Sequence, residues 1–258
     1  MTTAHKNQMP VFRVLGVPVN AIQIPGAIAT MEGWIRERAG THFVTVTGMH
    51  GVVEAHHHDA FKNILNSADM VVPDGMPLVW MGRRHGFKMP RRVYGPELME
   101  TFFKQTGNRY SHFFYGGAEG VAGLLARKMQ LKYGIKIAGT FYPPFRSLSA
   151  EEESEIAGTI QSAAPDVLWV GLSTPKQEAW MWSFRERVDV PVLVGVGAAF
   201  DFHTGRSRQA PAWMRENGLE WFFRLVSEPR RLWRRYLVYG SQFIWNVNLE
   251  ILKLRKFN

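Results

Sequence analysis

Asp74 stands between Pro73 and Gly75, directly after the apolar run Met70 to Val72. Proline sets the backbone on one side, and glycine permits an unusual dihedral or a close ligand approach on the other. A carboxylate in such a turn can take a proton from a substrate hydroxyl when its surroundings lift its pKa toward working pH. It can equally cap the helix that follows. Ser173-Thr174-Pro175-Lys176-Gln177 carries the pattern of a helix start, with Thr174 as cap, Pro175 at the first helical position and Gln177 three residues after the cap. Exposed amides at that N-terminus, with the charge of Lys176, suit a diphosphate. Gly116-Gly117 ahead of another helix supports the same chemistry more weakly. Arg224, Arg231 and Arg234 are spaced seven and three apart. They share one face if a helix persists across Pro229, where arginine suits bidentate phosphate contacts. A solvated basic face is the plain alternative.

Other chemistries find less support. Gly195-Val196-Gly197-Ala198-Ala199-Phe200 places Phe where the dinucleotide fingerprint needs Gly or Ala, which disfavours a nicotinamide enzyme. His56-His57-His58 on a helix would point about 100° apart and cannot share one ion, so a solvated face is expected. No Asp-x-Asp occurs, and there is no cysteine. The simplest carboxylate cradle for a metal-bound diphosphate and every Cys-ligated metal site are thereby missing. No metal and no cofactor are expected, and any phosphate must be met by Arg, Lys and backbone amides.

These residues need elements to hold them. Apolar runs at Phe12 to Leu15, His42 to Val46, Met70 to Val72, His112 to Tyr115, Ile135 to Ala138, Val167 to Val170 and Val192 to Val196 predict strands. Between them, helical patterns cover Ala27 to Ala39, Gly51 to Ser67, Gly75 to His85, Pro96 to Gln105, Gly120 to Tyr133, Ala150 to Ala163 and Pro175 to Val188. The alternation predicts an α/β fold, a doubly wound and mostly parallel Rossmann-like sheet. Ligands of such sheets bind beyond the carboxyl ends of the strands, which is where Asp74, Gly116, Thr174 and Asp201 fall.

Residues 1–205 read as one α/β catalytic domain, and residues 206–258 as a helical appendage. The 258 residues carry a net charge of +9, and the segment 206–258 holds 11 Lys and Arg against 4 Asp and Glu, with four of the nine Trp. Basic and aromatic residues together suit the headgroup region of a bilayer. A non-catalytic nucleotide-binding protein that docks through this tail is a rival reading. Nucleic acid is a weaker one, because the aromatics lie in helical segments and no reader motif occurs. Met1 to Pro10 is polar with no apolar core, and no run of about 18 apolar residues follows, so neither a cleaved signal nor a spanning helix is expected. With no cysteine, the cytoplasm is the expected compartment.

Val72-Pro73-Asp74-Gly75, Pro175-Lys176-Gln177-Glu178, Gly195 to Phe202, Gln209-Ala210-Pro211-Ala212-Trp213-Met214, and Gly218-Leu219-Glu220-Trp221 through Glu228-Pro229-Arg230-Arg231-Leu232-Trp233-Arg234-Arg235-Tyr236-Leu237 together resemble the WecG/TagA/CpsF glycosyltransferase family. Their order and spacing run from roughly Thr41 to Tyr239. The resemblance implies metal-free, inverting transfer of a hexose or N-acetylhexosamine from a UDP-sugar, as substrate, to a polyprenyl-diphosphate-linked saccharide at the inner face of the cytoplasmic membrane. It makes Asp74 the general base with Thr47 beside it, places Lys176, Gln177 and Asp201 in the nucleotide pocket, and closes Arg224, Arg231 and Arg234 over the diphosphates. The partners so implied are the donor, the lipid-linked acceptor and an anionic membrane surface, with no nucleic acid. One departure stands out: where the family commonly has Asn two residues after the threonine, this chain has Met49. Donor identity therefore stays open among UDP-glucose, UDP-N-acetylmannosamine and an acidic relative.

Overall fold

The computed structural model describes residues 9–257; most of the polar N-terminal stretch for which no leader is expected lies outside them. In chain order the elements are β1 (Val11–Val14), β2 (Val17–Asn20), α1 (Ile24–Glu37), β3 (His42–Thr47), α2 (Met49–His57), α3 (Asp59–Asn66), β4 (Met70–Pro73), α4 (Met76–Arg84), α5 (Gly95–Thr106), β5 (Ser111–Gly116), α6 (Val121–Tyr133) and β6 (Lys136–Phe141). They continue with α7 (Ala150–Ala163), β7 (Val167–Gly171), α8 (Lys176–Phe184), β8 (Val192–Gly195), α9 (Ala199–Thr204), α10 (Ala212–Glu216), α11 (Glu220–Ser227), α12 (Pro229–Trp233), a π-helical turn (Arg234–Val238) and α13 (Tyr239–Ile251).

Six strands form one parallel sheet in the order β4-β3-β8-β7-β5-β6. Alternation along the strands feeds two faces. Val44, Val46, Val167 and Trp169 pack with Met31, Phe102, Phe103 and Leu125 of α1, α5 and α6. Phe43, Leu168, Val170 and Leu193 pack on the other face with Ile156, Ile160, Trp180 and Phe184 of α7 and α8. A sheet covered on both faces needs apolar side chains at successive positions, which is why its strands read as nearly continuous apolar runs. The fold is Rossmann-like, as the sequence predicts.

The run Phe12 to Leu15 departs from that prediction. Instead of joining the parallel sheet, it supplies β1 of an antiparallel hairpin with β2, Val14 facing Val17. Leu15 (φ 50°) and Gly16 (φ 82°) make the left-handed two-residue loop that such a hairpin needs. Asn20 Oδ1 accepts the Val71 N–H at 2.7 Å, so the hairpin shields the β4 edge. The helical stretch Gly51 to Ser67 is two helices, broken where His58 turns extended (φ −133°, ψ 99°).

The segment after residue 205 is helical but not set apart. Phe243 and Val247 of α13 are buried in a cluster with Phe12 and Val17 of the hairpin, Val52 and Val53 of α2 and Leu78 of α4. The Leu15 N–H also donates to Glu250 Oε2 at 3.3 Å. No helix among the described residues is long and apolar enough to cross a membrane.

Candidate active site

The carboxyl ends of β3, β4, β7 and β8 open into a cavity of about 520 Å³, roofed by α11, α12 and the π-helical turn. Asp74 lies on its floor. Thr47 and Pro73 are paired across β3 and β4, and the Asp74 N–H donates to the Thr47 carbonyl at 2.8 Å. Gly75 is the residue before α4, and its φ of 101° turns the chain sharply there. The Asp74 side chain does not cap α4; its Oδ1 is buried and has no hydrogen-bond partner. Burial raises the Asp74 pKa from the ordinary carboxylate range, against the pull of Arg92, with Glu220 raising it further and Arg235 and Arg224 lowering it.

The Val93 N–H donates to the Pro73 carbonyl at 2.8 Å and thereby brings Arg92 alongside. Arg92 Nη1 is 3.5 Å from Asp74 Oδ1, while Nη2 makes a short contact with Glu220 Oε2. Tyr94 Oη donates to Glu220 Oε1 at 3.2 Å, and the Arg92 guanidinium sits 4.2 Å above the Tyr94 ring. Also on the cavity wall, His50 stacks on Tyr239 with ring centroids 5.1 Å apart. Burial, with Arg235 nearby, depresses its pKa to about 3, so the imidazole is neutral at working pH.

The arginines converge by a different route from the one their spacing suggests. Arg224 lies on α11 and Arg231 on α12, with Glu228 (φ −136°, ψ 58°) breaking the helix between them, and Arg234 opens the π-helical turn. All three line the cavity, joined by Arg235. Arg231 Nη2 pairs with Glu228 at 2.5 Å, and Arg224 stacks over Phe202 at 5.3 Å. Burial lowers the Arg235 pKa.

Of the remaining residues singled out from sequence, Thr174, Gln177 and Asp201 line the cavity. Pro175, not Thr174, precedes the first helical residue of α8, and no side chain caps it. Thr174 Oγ1 instead donates to Glu178 Oε1 at 2.9 Å, as does Gln177 Nε2, while Gln177 Oε1 accepts the Gly197 N–H at 2.9 Å. Asp201 is 3.7 Å from Arg206 Nε. Thr47 is buried, its Oγ1 donating to Thr45 Oγ1 at 3.0 Å, so its contact with Asp74 runs through its carbonyl. Lys176 is exposed and off the cavity wall.

Gly116 and Gly117 are also off that wall. Gly116 (φ 121°) packs so closely on β7 that a Cβ would come 2.7 Å from the Gly171 carbonyl oxygen. Phe200 covers this strand end, in contact range of both Gly171 and Gly117. His57 faces Gln242 of α13 at 2.9 Å, and among the described residues no three of His, Cys, Asp and Glu gather as a metal site. Arg92, Tyr94, Glu220, Arg235 and His50 are among the cavity residues to which sequence reasoning gives no role.

The chain is similar to the N-acetylglucosaminyldiphosphoundecaprenol N-acetyl-beta-D-mannosaminyltransferase of Bacillus spizizenii, with 29% identity over 206 residues, 79% of this chain and 77% of that protein. The enzyme of the same name from Bacillus subtilis is 30% identical over 69% of this chain and 68% of its own length. A Staphylococcus aureus enzyme of that name is 24% identical over 91% of both chains. Residues 12–257, which hold both the sheet and the arginine-bearing helices, match the glycosyl transferase WecG/TagA/CpsF family, and the protein is a glycosyltransferase belonging to it.

Proposed function

We propose that the protein moves a hexose or N-acetylhexosamine from a UDP-sugar to a polyprenyl-diphosphate-linked saccharide in the synthesis of a surface or cell-wall polymer. Inversion and the absence of a metal are part of this reading. Asp74 takes the proton of the acceptor hydroxyl as that oxygen attacks the anomeric carbon; the bond from that carbon to the β-phosphate oxygen breaks, and UDP leaves. Arg224, Arg231, Arg234 and Arg235 offset the charge that develops on the diphosphate. Fixed cations aimed at the departing group act without reorganising during the reaction. The relatives' names specify a beta-D product and a diphosphoundecaprenol-linked acceptor. A single displacement on an α-linked donor yields such a product.

The observation that carries the reading is the buried oxygen of Asp74, without a hydrogen-bond partner, facing a cavity with five arginines on its wall, Arg92 and the four from the C-terminal helices. Exposed Trp233, Leu237, Ile244 and Trp245 beside the basic C-terminal helices support peripheral association with an anionic membrane; the cytoplasmic face is part of the proposal. The test is a screen of UDP-sugars for UDP release with a synthetic polyprenyl-diphosphate glycan. Asp74→Asn is expected to bind UDP normally and to lose roughly 10²–10⁴-fold in turnover; normal turnover removes Asp74 from its role. Sedimentation with anionic vesicles, against gel shift on RNA, separates membrane from nucleic acid as the anionic partner.

A further inference from the structure

We propose that Glu220 is a positioning residue of the transfer reaction: it holds the Arg92 guanidinium back from Asp74 and so ties the readiness of the base to the seating of helix α11. The inference rests on the proposed role of Asp74 as base.

Arg92 lies between two carboxylates and treats them unequally. Its Nη2 hydrogen-bonds Glu220, whereas Nη1 stops 3.5 Å short of Asp74 Oδ1, beyond the range of a good hydrogen bond. A half-buried guanidinium beside an unpartnered carboxylate oxygen would close onto it in a two-pronged pair unless something else engaged it. Glu220 is that something. It is 6% exposed, one oxygen taken by Arg92 and the other accepting from Tyr94 Oη at 3.2 Å. The Tyr94 ring below fixes the guanidinium plane at 4.2 Å. Glu220 is the first residue of α11, which also carries Arg224 to the cavity. The element that brings a diphosphate-facing arginine thus also brings the carboxylate that holds Arg92 to a loose ion pair with Asp74, without a hydrogen bond.

The charged groups around Asp74 are Arg92 on the strand-to-helix segment before α5, Glu220 and Arg224 on α11, and Arg235 on the π-helical turn. Tyr94 borders them with its pKa raised, chiefly by burial, and the neutral His50 stands at the start of α2. In Glu220→Gln, two changes act on Asp74 in one direction. A neighbouring negative charge is lost, and Arg92 is released to pair with it. Both favour the ionised carboxylate and weaken it as a base.

The experiment measures kcat/KM against pH for the full-length wild type, Glu220→Gln, Arg92→Gln and the double variant, using the UDP-sugar that releases UDP with the synthetic lipid-linked glycan. Glu220→Gln is expected to move the acidic limb down by about one pH unit or more, the size of an opposite charge brought into contact. Its plateau is expected to fall by roughly tenfold or more, as a weaker base lowers the rate. In the double variant the limb returns to the wild-type position or above, because the released cation is gone, and Arg92→Gln alone moves it up. A Glu220→Gln enzyme with a lower rate and an unmoved limb, or a shift that persists in the double variant, overturns the proposal and leaves a purely structural bridge. Should Glu220→Gln not fold, an unmoved limb in Arg92→Gln overturns it equally. The base assignment fails separately, by normal turnover in Asp74→Asn.

Discussion

A buried carboxyl oxygen with no hydrogen-bond partner costs a fold stability, and among the described residues there are two, Asp74 Oδ1 on the cleft floor and Glu178 Oε2 behind Thr174 and Gln177. Burial is the main cause of the raised pKa of both, opposed at Glu178 by hydrogen bonds from Gln177 and Thr174 and by Arg235. A carboxyl whose folded pKa lies above its unfolded value binds more protons in the folded state. Its contribution to stability is complete below the unfolded value, 3.8 for Asp and 4.5 for Glu, and is lost as pH rises through the folded pKa. Glu178→Gln removes that loss, while its amide oxygen can still accept from Thr174 and Gln177. The variant is expected to be more stable than the wild type at pH 8, with the gain shrinking toward pH 4. Thermal unfolding at both ends of the range measures it, at about 2–4 °C per kcal/mol for a chain of this size. An equal gain at both pH values would refute titration as the cause. Asp74→Asn is expected to behave in the same way, so that the variant deprived of turnover is also the firmer protein near neutral pH. Such opposition between stability and activity is expected where a site keeps a group poised for reaction.

At the scale of elements, the break at Glu228-Pro229 decides where the arginines go. Pro229 has no N–H to continue α11 and keeps Glu228 out of the helical region, so α12 starts in a new direction and the π-helical turn then sets Arg234 and Arg235 on the cavity wall. Pro229→Ala permits one continuous helix. It is expected to weaken UDP binding by about tenfold, near 1.4 kcal/mol, with the thermal midpoint of the α/β core little changed. Calorimetric titration with UDP checks this, and unaltered affinity would mean that the break does not aim the arginines. The same junction marks what sequence can carry. Strands β3 to β8 are legible as apolar runs, and the turn holding Asp74 is legible from its flanking Pro and Gly. β2 is not, because Val17-Pro18-Val19-Asn20 is short and holds a proline. The single helical face expected for Arg224, Arg231 and Arg234 ignores the break, and they meet in the cavity because of it. Arg92 and Tyr94 reach Glu220 only across 128 and 126 residues of chain, a pairing that no local spacing encodes. Gly116 and Gly117 share the look of a phosphate loop, but the packing of Phe200 over that strand end leaves them a structural job.

For the molecule as a whole, the C-terminal helices cannot be treated as a detachable tail. Phe243 and Val247 on α13 complete a core with the N-terminal hairpin and α2, and burying side chains of this kind is worth about 1.5–3 kcal/mol each. Removing everything after Gln209 would therefore strip the cavity of Arg224, Arg231, Arg234 and Arg235 and the hairpin of its support, so loss of activity there says nothing about membranes. The helix itself offers a cleaner test. Phe243 and Val247 face inward while Ile244 and Trp245 are 64% and 68% exposed, so the outer pair can be changed without opening the core. Ile244→Ser with Trp245→Ala is expected to leave UDP release on a short water-soluble acceptor within about twofold of the wild type, since surface changes away from the core and the site cost little. Sedimentation with anionic vesicles is expected to fall by roughly tenfold or more, the worth of two apolar side chains withdrawn from the interface. The remaining attraction comes from the excess of Lys and Arg in residues 206–258 and should fade as salt rises past about 0.1–0.15 M. If vesicle binding survives the double substitution but vanishes with salt, charge alone holds the protein to the lipid. If it survives both, the membrane-facing surface lies elsewhere on the molecule.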